Sequence, residues 1–290
     1  MPLIAIRGVD HYYEWISRSQ QPGLDKPVLL FIHGWAGSTR YWRSTAEAFA
    51  EQFDCLLYDL RGFGQSRLPR PIPAEVAEIG YELESYVEDL ALLLDKLGLE
   101  RVSLNAHSTG ASIAVLFLAC HPERVERAVL TCHGVFASNP LAFKAFHQVG
   151  RYVVLFRPDW LKRIPTVDRM FMARFLRRPI PAQARQEFLE DFLSADFEAA
   201  VGTIYTAVCE RAALEMPQEY AKLAVPTLLI SGEYDQIIPV KLGQAAAAQN
   251  AQVEHVVIPN TGHFPMLEDA ATYLPLVQEF LQPSPDPTHV

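Results

Sequence analysis

The sequence predicts an α/β protein: a doubly wound, mostly parallel sheet interrupted once by a helical insertion. The first sign is alternation. Short apolar runs at 28–33, 54–59, 101–106, 125–132, 227–231 and 253–259 are separated by longer segments of helical spacing. Runs so nearly continuous in apolar character are what strands buried on both faces look like. Strand and helix in turn imply crossover connections and therefore a parallel sheet. The second sign is an interruption. Between Gly134 and Pro226 no strand pattern stands out, prolines recur (Pro140, Pro158, Pro165, Pro179, Pro181, Pro217), and the apolar residues follow helical spacing.

Taken in order, residues 3–6 and 11–16 are short strands, either a hairpin or two edge strands. Helices are expected at 41–52, 83–97, 109–120 and 270–281. The second of these carries Tyr86, Leu90, Leu93, Leu94 and Leu97 at intervals of three and four, with Gly98 as its stop. The tail 282–290 contains Pro283, Pro285 and Pro287 and is expected to fray. The division that follows is a core of 1–134 and 226–290 with a helical insertion at 135–225.

Composition narrows the classes. The 290 residues are half apolar, enough for a full core, and the net charge is −9, which argues against general affinity for nucleic acid. The four cysteines, Cys55, Cys120, Cys132 and Cys209, lie in apolar stretches without paired spacing, as reduced core residues do. The first ten residues form neither a basic leader nor an exported apolar run, and no stretch has the length to span a bilayer. A soluble cytoplasmic protein is expected. One segment runs against the overall charge: between Val135 and Arg185 many Lys and Arg face only Asp159 and Asp168.

The residues that carry chemistry begin at Ala106-His107-Ser108-Thr109-Gly110. They follow one apolar run and open a helical segment, so Ser108 stands where a strand turns sharply into a helix. Such a turn needs small neighbours, here Ala106 and Gly110. It lifts the hydroxyl clear and leaves the Thr109 amide at the positive end of a helix. Ala106 departs from the usual GxSxG by one methyl. A serine hydroxyl also needs a base oriented by a carboxylate, and in an open α/β sheet both come from loops at the carboxyl ends of strands. The run at 227–231 is followed by Gly232-Glu233-Tyr234-Asp235, and that at 253–259 by Asn260-Thr261-Gly262-His263.

These segments, with HGWAGS from His33, YDLRGFGQS from Tyr58, SGEYDQIIP from Ser231 and NTGHFPMLE from Asn260, resemble the α/β-hydrolase superfamily in order and spacing. The likeness is to its serine-nucleophile, cap-containing, esterase or lipase-like branch, and it covers most of the chain outside the insertion. The resemblance implies Ser108 as nucleophile, Asp235 as acid and His263 as base, with the amides of Trp35 and Thr109 as an oxyanion hole. Asp235 is preferred to Glu233 because the family's loop places its acid there. Residues 131–134, where some relatives carry the acid, offer no carboxylate. His33 is expected to shape a turn, and the glycine-rich 59–66 to support the site, since it lacks the spacing and lysine of a phosphate cradle.

No His, Cys or carboxylate cluster has metal-ligand spacing, so no metal or other cofactor is implied. The family resemblance makes the insertion a cap over the nucleophile. Its aromatics, among them Phe143, Phe171, Phe175, Phe188 and Phe192, point to a lipophilic acyl or alcohol pocket. The expected partner is a small lipophilic ester. The basic surplus adds solvated helix faces or, alternatively, contact with an anionic membrane or an acyl carrier. Serine at the elbow argues against the carboxylate-nucleophile chemistry of haloalkane dehalogenases and epoxide hydrolases. Three alternatives to an esterase stand: a thioesterase or acyltransferase on acyl carriers, a carbon–carbon bond hydrolase, and a ligand sensor that retains the triad.

Overall fold

The computed structural model describes residues 2–282. Strands β1 (Leu3–Ile6) and β2 (Val9–Ile16) form a hairpin through Arg7 and Gly8, both at positive φ as a two-residue primed turn requires. Next, β3 (Val28–Ile32) leads through a 3-10 turn at Thr39–Trp42 into α1 (Arg43–Phe49) and β4 (Asp54–Tyr58). Helices α2 (Ala74–Ile79) and α3 (Leu83–Lys96) precede β5 (Val102–His107), α4 (Thr109–Cys120) and β6 (Val125–Thr131). Then come α5 (Pro140–Leu155), a 3-10 turn (Asp159–Arg163), α6 (Val167–Met172), α7 (Ala182–Ser194), α8 (Phe197–Ala207) and α9 (Glu210–Lys222). The chain closes with β7 (Thr227–Gly232), α10 (Val240–Ala247), β8 (Val253–Ile258), α11 (Pro265–Glu268) and α12 (Ala270–Leu281).

The strands make one sheet in the order β1-β2-β4-β3-β5-β6-β7-β8. The first two pairings are antiparallel and those from β4 to β8 are parallel, so the doubly wound, mostly parallel sheet is present. Every residue of β3, β4 and β5 is buried, which is why β3 and most of β4 read as apolar runs; in β5 the buried Ser103, Asn105 and His107 alternate with apolar residues. Order reverses between β3 and β5, so a crevice opens there at the carboxyl ends of the strands. Helix α3 packs on α4 along one face, and α1 meets α12 on the other. Leu90, Leu93 and Leu94 of α3 are fully buried, and each burial contributes roughly 1.5–3 kcal/mol.

Several boundaries differ from expectation for local reasons. The segment expected as one helix at 41–52 begins instead as the 3-10 turn, capped by Ser38 Oγ accepting from the Arg40 amide at 3.2 Å. Trp42 there donates from Nε1 to the Ile32 carbonyl at 3.3 Å, which ties the turn to the end of β3. Strand β5 extends to His107 because that residue still pairs with Thr131 of β6, so the turn falls on Ser108 alone. Helices α2 and α10 were not apparent in the sequence; α10 (VKLGQAAA) is rich in small residues that leave little periodicity.

Between β6 and β7 the regular elements among the described residues are all helices, with α6 joined to α7 by a turn at 173–175 and irregular chain at 176–181. Helix α9 packs against α4 and α10 in the layer flanking the sheet. By contrast, α7 and α8 lie over the strand ends: Trp35 Nε1 donates to the Ala200 carbonyl at 2.9 Å, and its ring meets Phe192 at 5.9 Å. No described helix is long and apolar enough to cross a membrane. The tail beyond Gln282 lies outside the described residues.

Candidate active site

Ser108 sits alone between β5 and α4 with φ 53° and ψ −121°, a region that costs an L-residue about 1–3 kcal/mol. Close packing on both sides holds it there. Its amide donates to the Thr131 carbonyl at 2.9 Å. A Cβ on Gly110 would meet the carbonyls of His33 and Ile32, the latter at 2.7 Å, so glycine is required there. Ala106, by contrast, is fully buried within the core, and its methyl is accommodated. The two small positions of the elbow are therefore unequal.

Asp235 and His263 converge on this turn from the ends of β7 and β8. The Asp235 carboxylate accepts at Oδ1 from the amides of Ile237 (2.8 Å) and Ile238 (3.0 Å). That leaves Oδ2 for His263, whose Nδ1 lies 2.7 Å away. His263 Nε2 is 3.1 Å from Ser108 Oγ. An acceptor-only carboxylate assigns the proton to Nδ1, so Nε2 is free to accept from the serine hydroxyl. Asp235 and His263 are buried and Ser108 is half-buried. Glu233, the rival carboxylate, is exposed and accepts from the Asn260 amide at 2.8 Å.

The remaining predicted groups are backbone amides. Thr109 is the first residue of α4, so its N–H has no partner within the helix. Trp35 follows Gly34, where a Cβ would lie 3.1 Å from the Ser108 Cβ, so this loop passes directly against the elbow. No hydrogen bond to the Trp35 amide forms among the described residues. Two free donors beside a serine hydroxyl suit a developing oxyanion. His33 is fully buried, its Nδ1 2.8 Å from the Gly34 carbonyl and its Nε2 accepting from the Leu60 amide at 2.9 Å. Burial lowers its pKa to about 4, so it braces two loops as a neutral ring. The loop at 59–66 is filled by its own side chains: Asp59 accepts from the amides of Thr39 and Gln65, both at 2.7 Å.

Three supporting groups escaped sequence reasoning. The first two are Tyr41 and His107. The Gly34 amide donates to Tyr41 Oη (2.5 Å), Tyr41 donates to His107 Nδ1 (3.1 Å), and His107 Nε2 donates to the His263 carbonyl (2.8 Å). Burial, and then the neighbouring His263, hold the His107 pKa well below 6.5, which keeps that ring neutral. The third is Glu268, buried on α11. Its carboxylate accepts from the amides of Gly262 (2.9 Å), Arg177 (2.7 Å), Arg178 (2.8 Å) and Phe264 (3.2 Å). His263 itself donates from its amide to the Phe175 carbonyl at 2.6 Å. Adjacency of His107 to Ser108, and the Glu closing NTGHFPMLE, were the available signals.

Cys132 Sγ and ring nitrogens of His107 and His263 lie within 4.8 Å of one another. They make a poor metal site. The histidine nitrogens are committed to Asp235, Ser108, Tyr41 and the His263 carbonyl, and burial with the Asp235 charge pushes the Cys132 thiol well above its usual range.

Comparison with known proteins gives the family. The family model described as alpha/beta hydrolase fold matches residues 27–270. The chain belongs to the α/β-hydrolase fold family. This α/β hydrolase is 28% identical over 275 residues to a 2-hydroxymuconate semialdehyde hydrolase of Pseudomonas sp. (strain CF600), covering 87% of this chain and 86% of that one. Among solved structures it is similar to a hydrolase from Pseudomonas aeruginosa PA01, with a TM-score of 0.78, 21% identity, and coverage of 97% and 98%. An enol-lactonase from Burkholderia xenovorans LB400 matches with a TM-score of 0.75, 21% identity, and coverage of 97% and 99%.

Proposed function

We propose that this hydrolase cleaves a carboxylic ester through an acyl-enzyme, with Ser108 as nucleophile, His263 as base and Asp235 as its orienting acid. The observation that carries the reading is the unbroken hydrogen-bond chain from Asp235 Oδ2 through His263 to Ser108 Oγ. His263 takes the serine proton as Oγ attacks the carbonyl, and the imidazolium then gives that proton to the leaving alkoxide. Water, activated by the same ring, releases the acid. The amides of Trp35 and Thr109 stabilise the tetrahedral oxyanion, each by about 2.7–4 kcal/mol if they behave as such donors do elsewhere.

Helices α5–α8 act as a cap, with α9 belonging to the core layer. Phe175 lies 6.1 Å from His263 ring to ring, and Phe171 stacks between Phe175 and Phe192, which in turn meets Trp35. Aromatic walls this close to the nucleophile favour a lipophilic acyl or alcohol group. Free thiols at all four cysteines support a reducing, cytoplasmic compartment.

The test is a panel of esters and thioesters of graded chain length, with Ser108→Ala as control. An acyl-enzyme predicts a burst followed by steady turnover, both abolished in the variant; equal turnover by the two proteins would sink the mechanism. A ligand sensor would show the burst and then stall. A second reading, carbon–carbon bond hydrolysis, is favoured by the likeness to the 2-hydroxymuconate semialdehyde hydrolase. Turnover of 2-hydroxymuconate semialdehyde with no turnover of esters would select it.

A further inference from the structure

Helix α5 carries its apolar stripe on the wrong side for a helix that only packs on the protein. Its inner face is made by the buried Phe143 and Val154, by His147 donating to the Val208 carbonyl at 2.6 Å, and by Gly150 against Ile204. The opposite face is also apolar. Leu141, Ala145, Val149 and Tyr152 recur at i, i+4, i+8 and i+11, one line along the helix, and the exposed Phe156 caps its end. Leu141 is 83% exposed, Tyr152 72% and Phe156 68%. The surface continues through the exposed Trp160 and Ile164 to Met170 of α6. Most large apolar side chains exposed among the described residues lie in this one stretch.

The charges beside it are mostly basic, and the two acids of the stretch, Asp159 and Asp168, are paired with Lys162 and Arg185. Lys144 and Arg151 flank the stripe on α5, Arg163 lies in the 3-10 turn, and Arg169 and Arg174 follow. None of these five makes an ion pair among the described residues, in a chain of net charge −9. An apolar line with aromatic ends and a basic flank is what lies at the boundary of an anionic bilayer. A second copy seated by two-fold symmetry would set Lys144 and Arg151 against their own equivalents. We infer that the outer face of α5, the following turn and α6 docks on an anionic lipid surface, helix in the interfacial plane.

This docking needs no turnover and stands apart from the proposed reaction, so Ser108→Ala protein serves equally well. Trp160 is the most exposed of the four tryptophans and is a built-in reporter. The experiment is flotation with vesicles of phosphatidylcholine, alone or with about one-third phosphatidylglycerol, at low salt, together with quenching by brominated acyl chains. Expected are binding to the anionic vesicles only, and quenching that disappears in Trp160→Phe. Each basic residue at such a surface contributes roughly fivefold to partitioning, so Lys144→Glu/Arg151→Glu should lower it more than about tenfold. Phe156→Ser should lower it while hydrolysis of a soluble ester is retained. Equal binding to neutral vesicles, no binding, or insensitivity to these substitutions would overturn the inference. So would a dimer in solution that Phe156→Ser dissolves, or saturable binding to an acyl carrier protein in place of lipid.

Discussion

Glu268→Gln should loosen the histidine loop while changing a single atom. The carboxylate divides its acceptors: Oε1 takes Gly262 and Phe264, while Oε2 takes Arg177, Arg178 and the second, 3.0 Å branch of Gly262. A glutamine offers one acceptor oxygen and turns an NH2 toward whatever amides face its other end. In the less costly orientation the carbonyl keeps Arg177 and Arg178, and the Phe264 N–H meets a donor. One buried donor left unpaired costs about 1–3 kcal/mol, and the surviving bonds each lose charge assistance worth about 1 kcal/mol. With Arg177, Arg178 and Gly262 as the surviving bonds, the sum is about 4–6 kcal/mol, a large part of a typical domain's stability. Urea unfolding measures that loss. Steady-state kinetics measures the second consequence: His263 is anchored through its own amide to Phe175, two residues before Arg177, so a shift of about 1 Å would lower kcat by about 100-fold. KM should change less than kcat, because Phe171 and Phe192 of the aromatic wall make no bond to Glu268, whereas His263 is held through Phe175. Wild-type unfolding midpoint and kcat in the glutamine variant would refute this role for Glu268.

Other expected outcomes follow from the same geometry. Tyr41→Phe leaves the Gly34 amide and His107 Nδ1 without their partner, which should cost about 2–4 kcal/mol in urea unfolding and reduce kcat by displacing the Trp35 amide. Gly110→Ala drives a methyl into the Ile32 carbonyl and should cost about 3 kcal/mol or more, whereas Ala106→Gly, which restores the commoner elbow, should destabilise by only about 1 kcal/mol. His133, buried between Ser112 and Tyr220, is held by burial at about 4. Its folded value lies below the unfolded 6.5, so its contribution is present above about pH 6.5 and is lost as pH falls through 4. Denaturation of His133→Gln across that window should be flatter than wild type by up to about 3 kcal/mol; an unchanged slope would place the acid sensitivity elsewhere.

What was legible in the sequence was whatever the parallel sheet repeats or the turn chemistry punctuates. Strands β3 and β4 could be found because burial on both faces leaves them almost wholly apolar, and β5 because Val102, Leu104 and Ala106 recur between buried polar residues directly before the turn at Ser108. Ser108, Asp235 and His263 could be found because a parallel sheet sends every following loop to one edge, so strand ends become a list of places to look. Tyr41, His107 and Glu268 obey no such rule. Tyr41 looks like one more aromatic in a helical segment until the 3-10 turn aims its hydroxyl at Gly34. Glu268 reads as an ordinary helix-terminal acid, and its value depends on the stretch at 174–178 coming back across a gap of some ninety residues.

That return path makes the histidine loop and the inserted helices one mechanical unit. A Cβ at Gly262 would lie 2.5 Å from the Phe175 carbonyl and 2.9 Å from the Arg177 amide, so the two stretches touch backbone to backbone. Phe175 follows α6 by three residues, and its amide donates to the Met172 carbonyl at 2.9 Å, extending the helix to the contact. Helix α6 carries Met170 on the exposed apolar surface and Phe171 on the aromatic wall at 4.7 Å from Phe192. Outer surface, aromatic wall and His263 are therefore separated by single helical turns rather than by a flexible linker. A force that tilts α6 reaches His263 through the Phe175 carbonyl, and Glu268 is the group that resists it. Glu268→Gln protein should accordingly lose activity more steeply on docking to anionic vesicles than wild type does. Equal activity ratios with and without vesicles in the two proteins would separate the surface from the site.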